Sequence, residues 1–375
     1  MTTPTPPVTL TPVLGLPEVR AGDNLADLIL KALQDNRIRL MDGDVLVVSS
    51  KVVSKAMGLQ APSADQAGAV LSQTVRIVAE RMTPSGVTRI VESAAGPVMT
   101  AAGVDASNTA DQSIVLLLPD DPDAVTAHLR NDLQTGWEEL TGTRTRIGVI
   151  LSDTAGRPWR NGQTDFALGA AGIEVVEDLR GSTDTSGRVL SVTERCIADE
   201  IAAAADLVKA KATGVPAAHV RGLGQYVHNL EAGGQFVEPL SGARDLIRTG
   251  PQDWFGYGMV EAVRAALGVE PGSAAAAEVG VPFIVGEDTA TRAHRAVRVA
   301  LLTCPHASAR IDGQTIVLAA PDDFTLGVAT TRAEVALHGE RLTTTMTRTP
   351  VVPTASDPGT EDLLTTQPTV LIVFQ

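Results

Sequence analysis

Aromatic residues are scarce in this chain: Phe, Trp and Tyr together make up 3% of its 375 residues. That argues against the stacking platforms on which single-stranded nucleic acids lie. It leaves Val, Leu, Ile and Ala to build the core, which suits the buried strands of an α/β protein. Positive charge is also in deficit. With 30 Lys and Arg against 44 Asp and Glu, the formal net charge is −14, and a surface of that sign repels polyphosphate backbones. No nucleic-acid partner is expected, so any phosphate ligand must be gripped locally by a metal or by a few cations. Cysteine is limited to Cys196 and Cys304, with no CxxC spacing. Neither a disulfide framework nor a zinc site is suggested, and a reducing cytoplasm is the natural location. No apolar run approaches the length of a bilayer span, and the opening MTTPTPPVTLTPV lacks the basic-then-apolar order of a signal peptide. A soluble protein with no membrane partner is expected. The six histidines are dispersed without HExxH spacing, and neither GxxxxGK[ST], GxGxxG nor GxSxG occurs. The familiar nucleotide loops and the serine-hydrolase elbow are therefore missing.

What is present is a succession of buried-looking strands that end in polar clusters. In DGDVLVVSSKVVSK, Gly43 supplies a turn, Val45 to Val48 form an unbroken apolar run, and Ser49, Ser50, Lys51 and Lys55 follow at once. In open α/β sheets ligands sit beyond the C-terminal strand ends, and hydroxyls beside lysine suit a phosphate there; a strand followed by a solvated helix start is the plainer alternative. TRIGVILSDT gives a second such strand over Ile147 to Leu151. DNLADLILKALQ, a segment around Ala67 to Met82, DDPDAVTAHLRNDLQ and ADEIAAAADLVKAKATG read as helices, the last ending near Thr213 and Gly214. Short strands are expected near Thr88 to Val91, Ile114 to Leu118 and in PAAHVRG. Composition changes after Gly268, where VEPGSAAAAEVGVP reads as a linker. Beyond it RAHRAVRVALL looks helical, GQTIVLAAPDD and TVLIVF look like strands, and Thr343 to Pro368 is polar and loop-like. The expected organisation is a main α/β (α+β) domain over residues 1–268 and a smaller α/β unit over 269–375.

Two further stretches place chemistry at such ends. AAGVDASN sets Asp105 and Asn108 in a turn of small residues, and LSDTAGRPWRNGQTD sets Asp153 and Thr154 directly after a strand, followed by Arg157, Arg160, Gln163 and Asp165. Two carboxylates on separate loops, each beside hydroxyl or amide groups, suit a hard cation with oxygen ligands, magnesium or manganese shared with nucleotide phosphates. The arginines could clamp a carboxylate or phosphate. Asp-Thr and Asp-Ala-Ser-Asn turns also occur as ordinary caps.

In order and spacing, GLPEVRAGDNL, DGDVLVVSSKVVSKAMG, AAGVDASN, SDTAGRPWRNGQTDFALGAAGI, VTERCIADEIAAAADLVKAK and PAAHVRG resemble the coenzyme F-420 gamma-glutamyl ligases, from about Val13 to Gly222. The similarity is greatest to the ligase part of the actinobacterial two-domain form, and it continues through residues 242–263. The resemblance implies the ligase fold of that family and a GTP-dependent, divalent-metal-dependent enzyme. It would add L-glutamate to the phospholactyl deazaflavin F-420-0 through an acyl phosphate, then extend the tail by gamma-glutamyl links. Matched by position, Leu14, Gly15, Leu16 and Pro17 would form a nucleotide-contacting turn. Ser49, Ser50 and Lys55 would contact phosphate and Asn108 the nucleotide, while Lys209, Ala210 and Lys211 would lie in a loop that wraps it. Asp105, Asp153 and Thr154 would hold magnesium or manganese, with a monovalent cation such as potassium beside them. Arg157, Arg160 and Gln163 are candidates for substrate carboxylate or transition-state charge. A homodimer is implied as well. Two departures stand out: alanine replaces the family's usual glycine at Ala210, and Lys211 replaces an acidic metal contact of some members. An inactive nucleotide-binding or deazaflavin-binding protein of the same fold is the competing reading. Residues 269–375 are too few for the flavin-binding nitroreductase-like domain of two-domain relatives, so FMN is not expected.

Overall fold

The computed structural model describes residues 6–107, 111–210, 213–228, 231–232, 235–236, 242–284, 286–349 and 368–375. The chain forms two compact units, Met1–Val75 with Glu92–Thr249, and Arg76–Val91 with Gly250–Gln375.

The first unit is built on a five-stranded sheet. Its strands are β1 (Thr9–Pro12), β2 (Asp44–Ser49), β3 (Ile147–Arg157), β4 (Arg160–Ala171) and β5 (Ala217–Arg221), in the spatial order β1-β5-β2-β3-β4. Only β2 and β3 run parallel; the other three pairings are antiparallel. Both faces are covered, which is why β2 reads as an unbroken apolar run. Leu46, Val48, Ile147, Val149 and Leu151 pack with α1 (Leu25–Asp35) and α3 (Pro122–Thr141), through Ile29, Leu33, Leu129, Leu133 and Trp137. Val45, Val47 and Ile150 meet α4 (Ile197–Lys209) on the other face, through Ile197, Ala198, Ile201, Ala202 and Ala205. The alanines of α4 let the helix lie close to the sheet. Asn24 caps α1 by accepting from the backbone N–H groups of Ala26 and Asp27, and Asp121 caps α3 in the same way through Ala124. Gly43, at φ +88°, makes the turn into β2; a Cβ there would sit 2.6 Å from the Gly224 Cα, so both the torsion and the close approach require glycine.

Several segments differ from the sequence expectation. Only Gln66–Ser72 of the Ala67 to Met82 stretch is helical; Thr74–Thr83 is a strand that turns back along Gly86–Ser93. The β-branched alternation in TVRIV is satisfied by this hairpin, and pairing outweighs the propensity of the alanines. The α4 helix stops at Lys209 instead of near Thr213, and β3 continues to Arg157 as one arm of a long hairpin with β4.

The second unit takes in residues 76–91 of that shorter hairpin together with everything from Gly250 onward. The boundary expected after Gly268 falls inside it, because α5 (Met259–Ala266) packs Val263 into this unit's core and ties Arg264 to Glu340. The core lies between α6 (Thr289–Leu301), α7 (Asp323–Gly339) and an antiparallel sheet. That sheet contains β6 (Ser308–Asp312), β7 (Thr315–Ala319), β8 (Thr344–Thr349) and β9 (Thr369–Phe374), in the order β6-β7-β9-β8. The stretch read as a linker contains a short helix, Ala274–Val279, whose cap is Ser273. Thr344–Thr349, expected as loop, is a strand, and residues 350–367 lie outside the described ones. Among the described residues no helix is long and apolar enough to cross a membrane.

Candidate functional site

The polar ends of β2 and β3 meet because the two strands are parallel neighbours. Their register pairs Ser49 with Ser152, which puts the next residues, Ser50 and Asp153, side by side just beyond the paired strands. Ser50 is buried and its Oγ donates to Asp153 Oδ1 at 3.1 Å. Ser49 is extended and Ser50 already begins α2 (Ser50–Met57), so the strand passes straight into a helix without a glycine-rich loop. The first-turn backbone N–H groups of α2, which have no partner within the helix, therefore lie at a C-terminal strand end.

A cavity of about 520 Å³ opens here, lined by Leu16, Pro17 and Glu18 from the N-terminal turn, by Ser49 at the end of β2, by Lys51 and Lys55 of α2, by Asp153, Thr154 and Asp165 from the hairpin, and by Lys209 and Ala210. Lys55 pairs with Glu18 at 2.5 Å. Lys51 reaches Asp105 at 2.7 Å and donates to Ser107 Oγ, whose own backbone N–H donates to Asp105. Burial would raise the Asp105 carboxyl, but Lys51 and Ser107 hold it below the usual carboxylate range. Asp153 goes the other way: burial pushes it up to about 6, and the charges of Asp105 and Asp165 add to the rise against the hydrogen bonds from Ser50 and the Thr154 backbone.

Asp165 reaches the site through a bulge. Leu151 pairs with Gly169 but Ser152 pairs with Ala167, so Leu168 is the extra residue, and the shift sets Asp165 opposite Thr154. Cross-strand partners share a face. Without the extra residue Phe166 would stand there. Asp165 Oδ1 accepts from Thr154 Oγ1 at 2.6 Å, and Oδ2 accepts from Ser152 Oγ at 2.9 Å and from Lys209 Nζ at 2.7 Å. Lys209 also donates to Ser152 Oγ at 2.6 Å, and both Lys209 and Asp165 are buried.

The structure thus brings together Leu16, Pro17, Ser49, Ser50, Lys55, Asp153, Thr154, Lys209 and Ala210, with Asp105 joined through Lys51. Leu14 and Gly15 are outside the cavity wall, Leu14 half exposed and its carbonyl bonded to Asn36. Arg157, Arg160 and Gln163 do not line the cavity: all three are exposed on the outer part of the β3–β4 hairpin, where each residue past Thr154 carries the strand about 3.3 Å further away. Asn108 and Lys211 lie outside the described residues. Ala210 caps α4 at φ 48°, ψ 149°, a conformation that glycine adopts freely and alanine does not. Alanine therefore bears a torsion that glycine would adopt without strain. Glu18 and the inward turn of Asp165 escaped the sequence reading, though a hairpin through GRPWRNG would have placed Asp165 near Thr154.

Among the described residues no group of three or more His, Cys, Asp or Glu is arranged to hold a metal. The donors of the expected ligand set, the carboxylates of Asp105 and Asp153 and the Thr154 hydroxyl, are all oxygen, and Asp153 is crowded by like charge in a way that a cation would relieve. That chemistry fits a magnesium-type ion, which takes few protein ligands and completes its shell with phosphates and water.

The sequence model described as "F420-0:Gamma-glutamyl ligase" matches residues 14–222. Proteins named coenzyme F420:L-glutamate ligase are similar to the chain. The one from Archaeoglobus fulgidus is 40% identical over 227 residues, which is 56% of this chain and 86% of the relative. That of Methanothermobacter thermautotrophicus is 37% identical over 255 residues, 64% and 97% of the two chains, and that of Halorubrum lacusprofundi is 36% identical over 222 residues, 54% and 82%.

Proposed function

The chain belongs to the F420-0:Gamma-glutamyl ligase family, and on that premise we propose that it joins L-glutamate to the phospholactyl deazaflavin F-420-0 at the expense of GTP, then lengthens the tail by gamma-glutamyl links. The observation that supports this reading most is the convergence of Lys51, Lys55, Ser49, Ser50, Asp153 and Thr154 where the parallel pairing of β2 with β3 ends. An amide cannot form directly from a carboxylate, whose oxygen is a poor leaving group. Transfer of the γ-phosphoryl group of GTP to the acceptor carboxylate releases GDP and leaves an acyl phosphate. The amine of glutamate then attacks the carbonyl carbon, the C–N bond forms, the C–O bond to phosphate breaks, and the amine gives up a proton.

This chain's residues are suited to those tasks. Lys51, Lys55, Ser49 and the first turn of α2 present positive charge and donors to phosphate oxygens. Leu16 and Pro17 offer an apolar wall beside them. Asp105, Asp153 and Thr154 would hold a magnesium or manganese ion, which would neutralise phosphate charge. A potassium ion, and assembly as a homodimer in the cytoplasm, belong to the same reading. No FMN is assigned to the second unit.

Mass spectrometry of a reaction containing F-420-0, L-glutamate, GTP and manganese tests the proposal. Products heavier by successive glutamyl units support it. Saturable GTP binding with no product and no phosphate release would replace it with the nucleotide-binding reading, which the strained Ala210 cap favours.

A further inference from the structure

Asp165 accepts three hydrogen bonds, from Thr154, Ser152 and Lys209. A carboxylate can only accept, so the Thr154 hydroxyl must be the donor in the 2.6 Å contact. That commits the single hydroxyl proton and leaves the Thr154 oxygen only lone pairs to offer anything else in the cavity it lines. Left free to rotate, the hydroxyl could instead point its proton at a cation. Lys209 has a matching part. Its ammonium, 2.7 Å from Asp165 and 2.6 Å from Ser152 Oγ, fixes the carboxylate and balances a negative charge that would otherwise add to those of Asp153 and Asp105. Lys209 projects from the end of α4 and Asp165 from β4, so the clamp joins a helix to the hairpin.

We propose that Asp165, clamped by Lys209, is a positioning residue that makes the Thr154 oxygen an obligate acceptor toward the cavity and thereby sets the cavity's affinity for a divalent cation. Lys209 acts through Asp165 instead of through a nucleotide phosphate. The inference rests on the cation reading given above. Outer partners that orient a metal ligand commonly change metal affinity 10- to 100-fold when removed, about the size of effect expected here.

The test is a manganese titration, followed by electron paramagnetic resonance, on the full chain. Removing Asp165 alone would bury an unpaired Lys209, so the charge-balanced double variant Asp165→Asn with Lys209→Met is used, and near-ultraviolet circular dichroism confirms its fold. The expected result is manganese affinity weakened about 10- to 100-fold, matched by Thr154→Val and not deepened when all three changes are combined. Thr154→Ser, which keeps the hydroxyl, should bind as the parent does. If Thr154→Val binds weakly while the double variant binds like the parent, or if the triple variant shows fully additive losses, the positioning role is overturned and the cation site stands. A parent protein that binds no manganese, with or without GTP, overturns both readings. Should the double variant fail to fold, equal affinity of Thr154→Val and the parent by itself overturns the proposal.

Discussion

Asp44 and Asp153 stand at opposite ends of the parallel pairing of β2 with β3, and their surroundings drive them in opposite directions. At the start of β2, burial would raise Asp44, yet Arg221, His219 and the Met41 backbone N–H bring its carboxyl down to about 2. Where the parallel pairing ends in β3, burial raises Asp153 to about 6 and two neighbouring carboxylates reinforce the rise. At the first end Asp44 is buried and matched by positive charge: Arg221 grips both its oxygens at 2.9 and 2.7 Å, and His219 Nε2 lies 2.8 Å from one of them. At the second end Asp153 accepts from Ser50 and the Thr154 backbone but has carboxylates for its charged neighbours, and it faces a cavity. The difference teaches that burial of charge does not by itself mark a site. Glu340 in the second unit makes the same point, buried and held by Arg264 and Arg295 at 2.6 to 2.8 Å. What distinguishes Asp153 is stored electrostatic conflict at a place open to a ligand.

The contrast is sharpest under substitution. Asp153→Asn keeps the shape and the Ser50 contact but removes the charge, so ligation should fall at least ~1,000-fold, as expected when a charge stabilising phosphoryl transfer is lost. Its stability should move the other way. A carboxyl whose folded pKa exceeds its unfolded one costs stability at neutral pH, and the cost fades as pH falls below about 6. Asp153→Asn should therefore melt higher than the parent at pH 7.5, by about 1–3 kcal/mol, with the gap closing near pH 4. An inactive variant that melts lower would break the comparison.

Glu340→Ala leaves two buried guanidinium groups without their common partner and should destabilise the second unit by about 3–5 kcal/mol, read by denaturant unfolding. Unchanged stability would show that buried ion networks here are dispensable.

Asp44 should contribute about 2–3 kcal/mol at neutral pH. Its folded pKa is depressed, so the contribution is complete above the usual 3.8 and is lost as pH falls toward about 2. Comparing acid unfolding of the parent with that of Asp44→Asn isolates it: the variant should be weaker at pH 7 and lack this portion of the acid-induced loss.

The smallest effect belongs to Ala210→Gly. Relief of the positive torsion exceeds the added freedom of the unfolded chain, and a gain of about 1 kcal/mol is expected in thermal melts, with tighter GTP binding by calorimetry. Loss of stability would mean that the cap bears no strain.

The two strand ends were legible in unequal measure. DGDVLVVSSK and RIGVILSDT show a buried strand and its polar terminus because apolar runs and hydroxyl clusters are local patterns, and the spacing of six blocks was enough to suggest the family. The sequence by itself also determined α1, α3, most of α4 and the residue types that meet at the cavity. It could not determine which strands would be neighbours. That β2 and β3 pair in parallel, with Ser49 opposite Ser152, follows from packing between residues about a hundred positions apart. Nor could it show the bulge at Leu168, which decides that Asp165 and not Phe166 faces Thr154, or the reach of the hairpin that carries Arg157 and Arg160 away from the cavity. Local pattern specifies what each segment can bury; only the assembled sheet, through register and long-range contact, decides which polar groups are left facing one another.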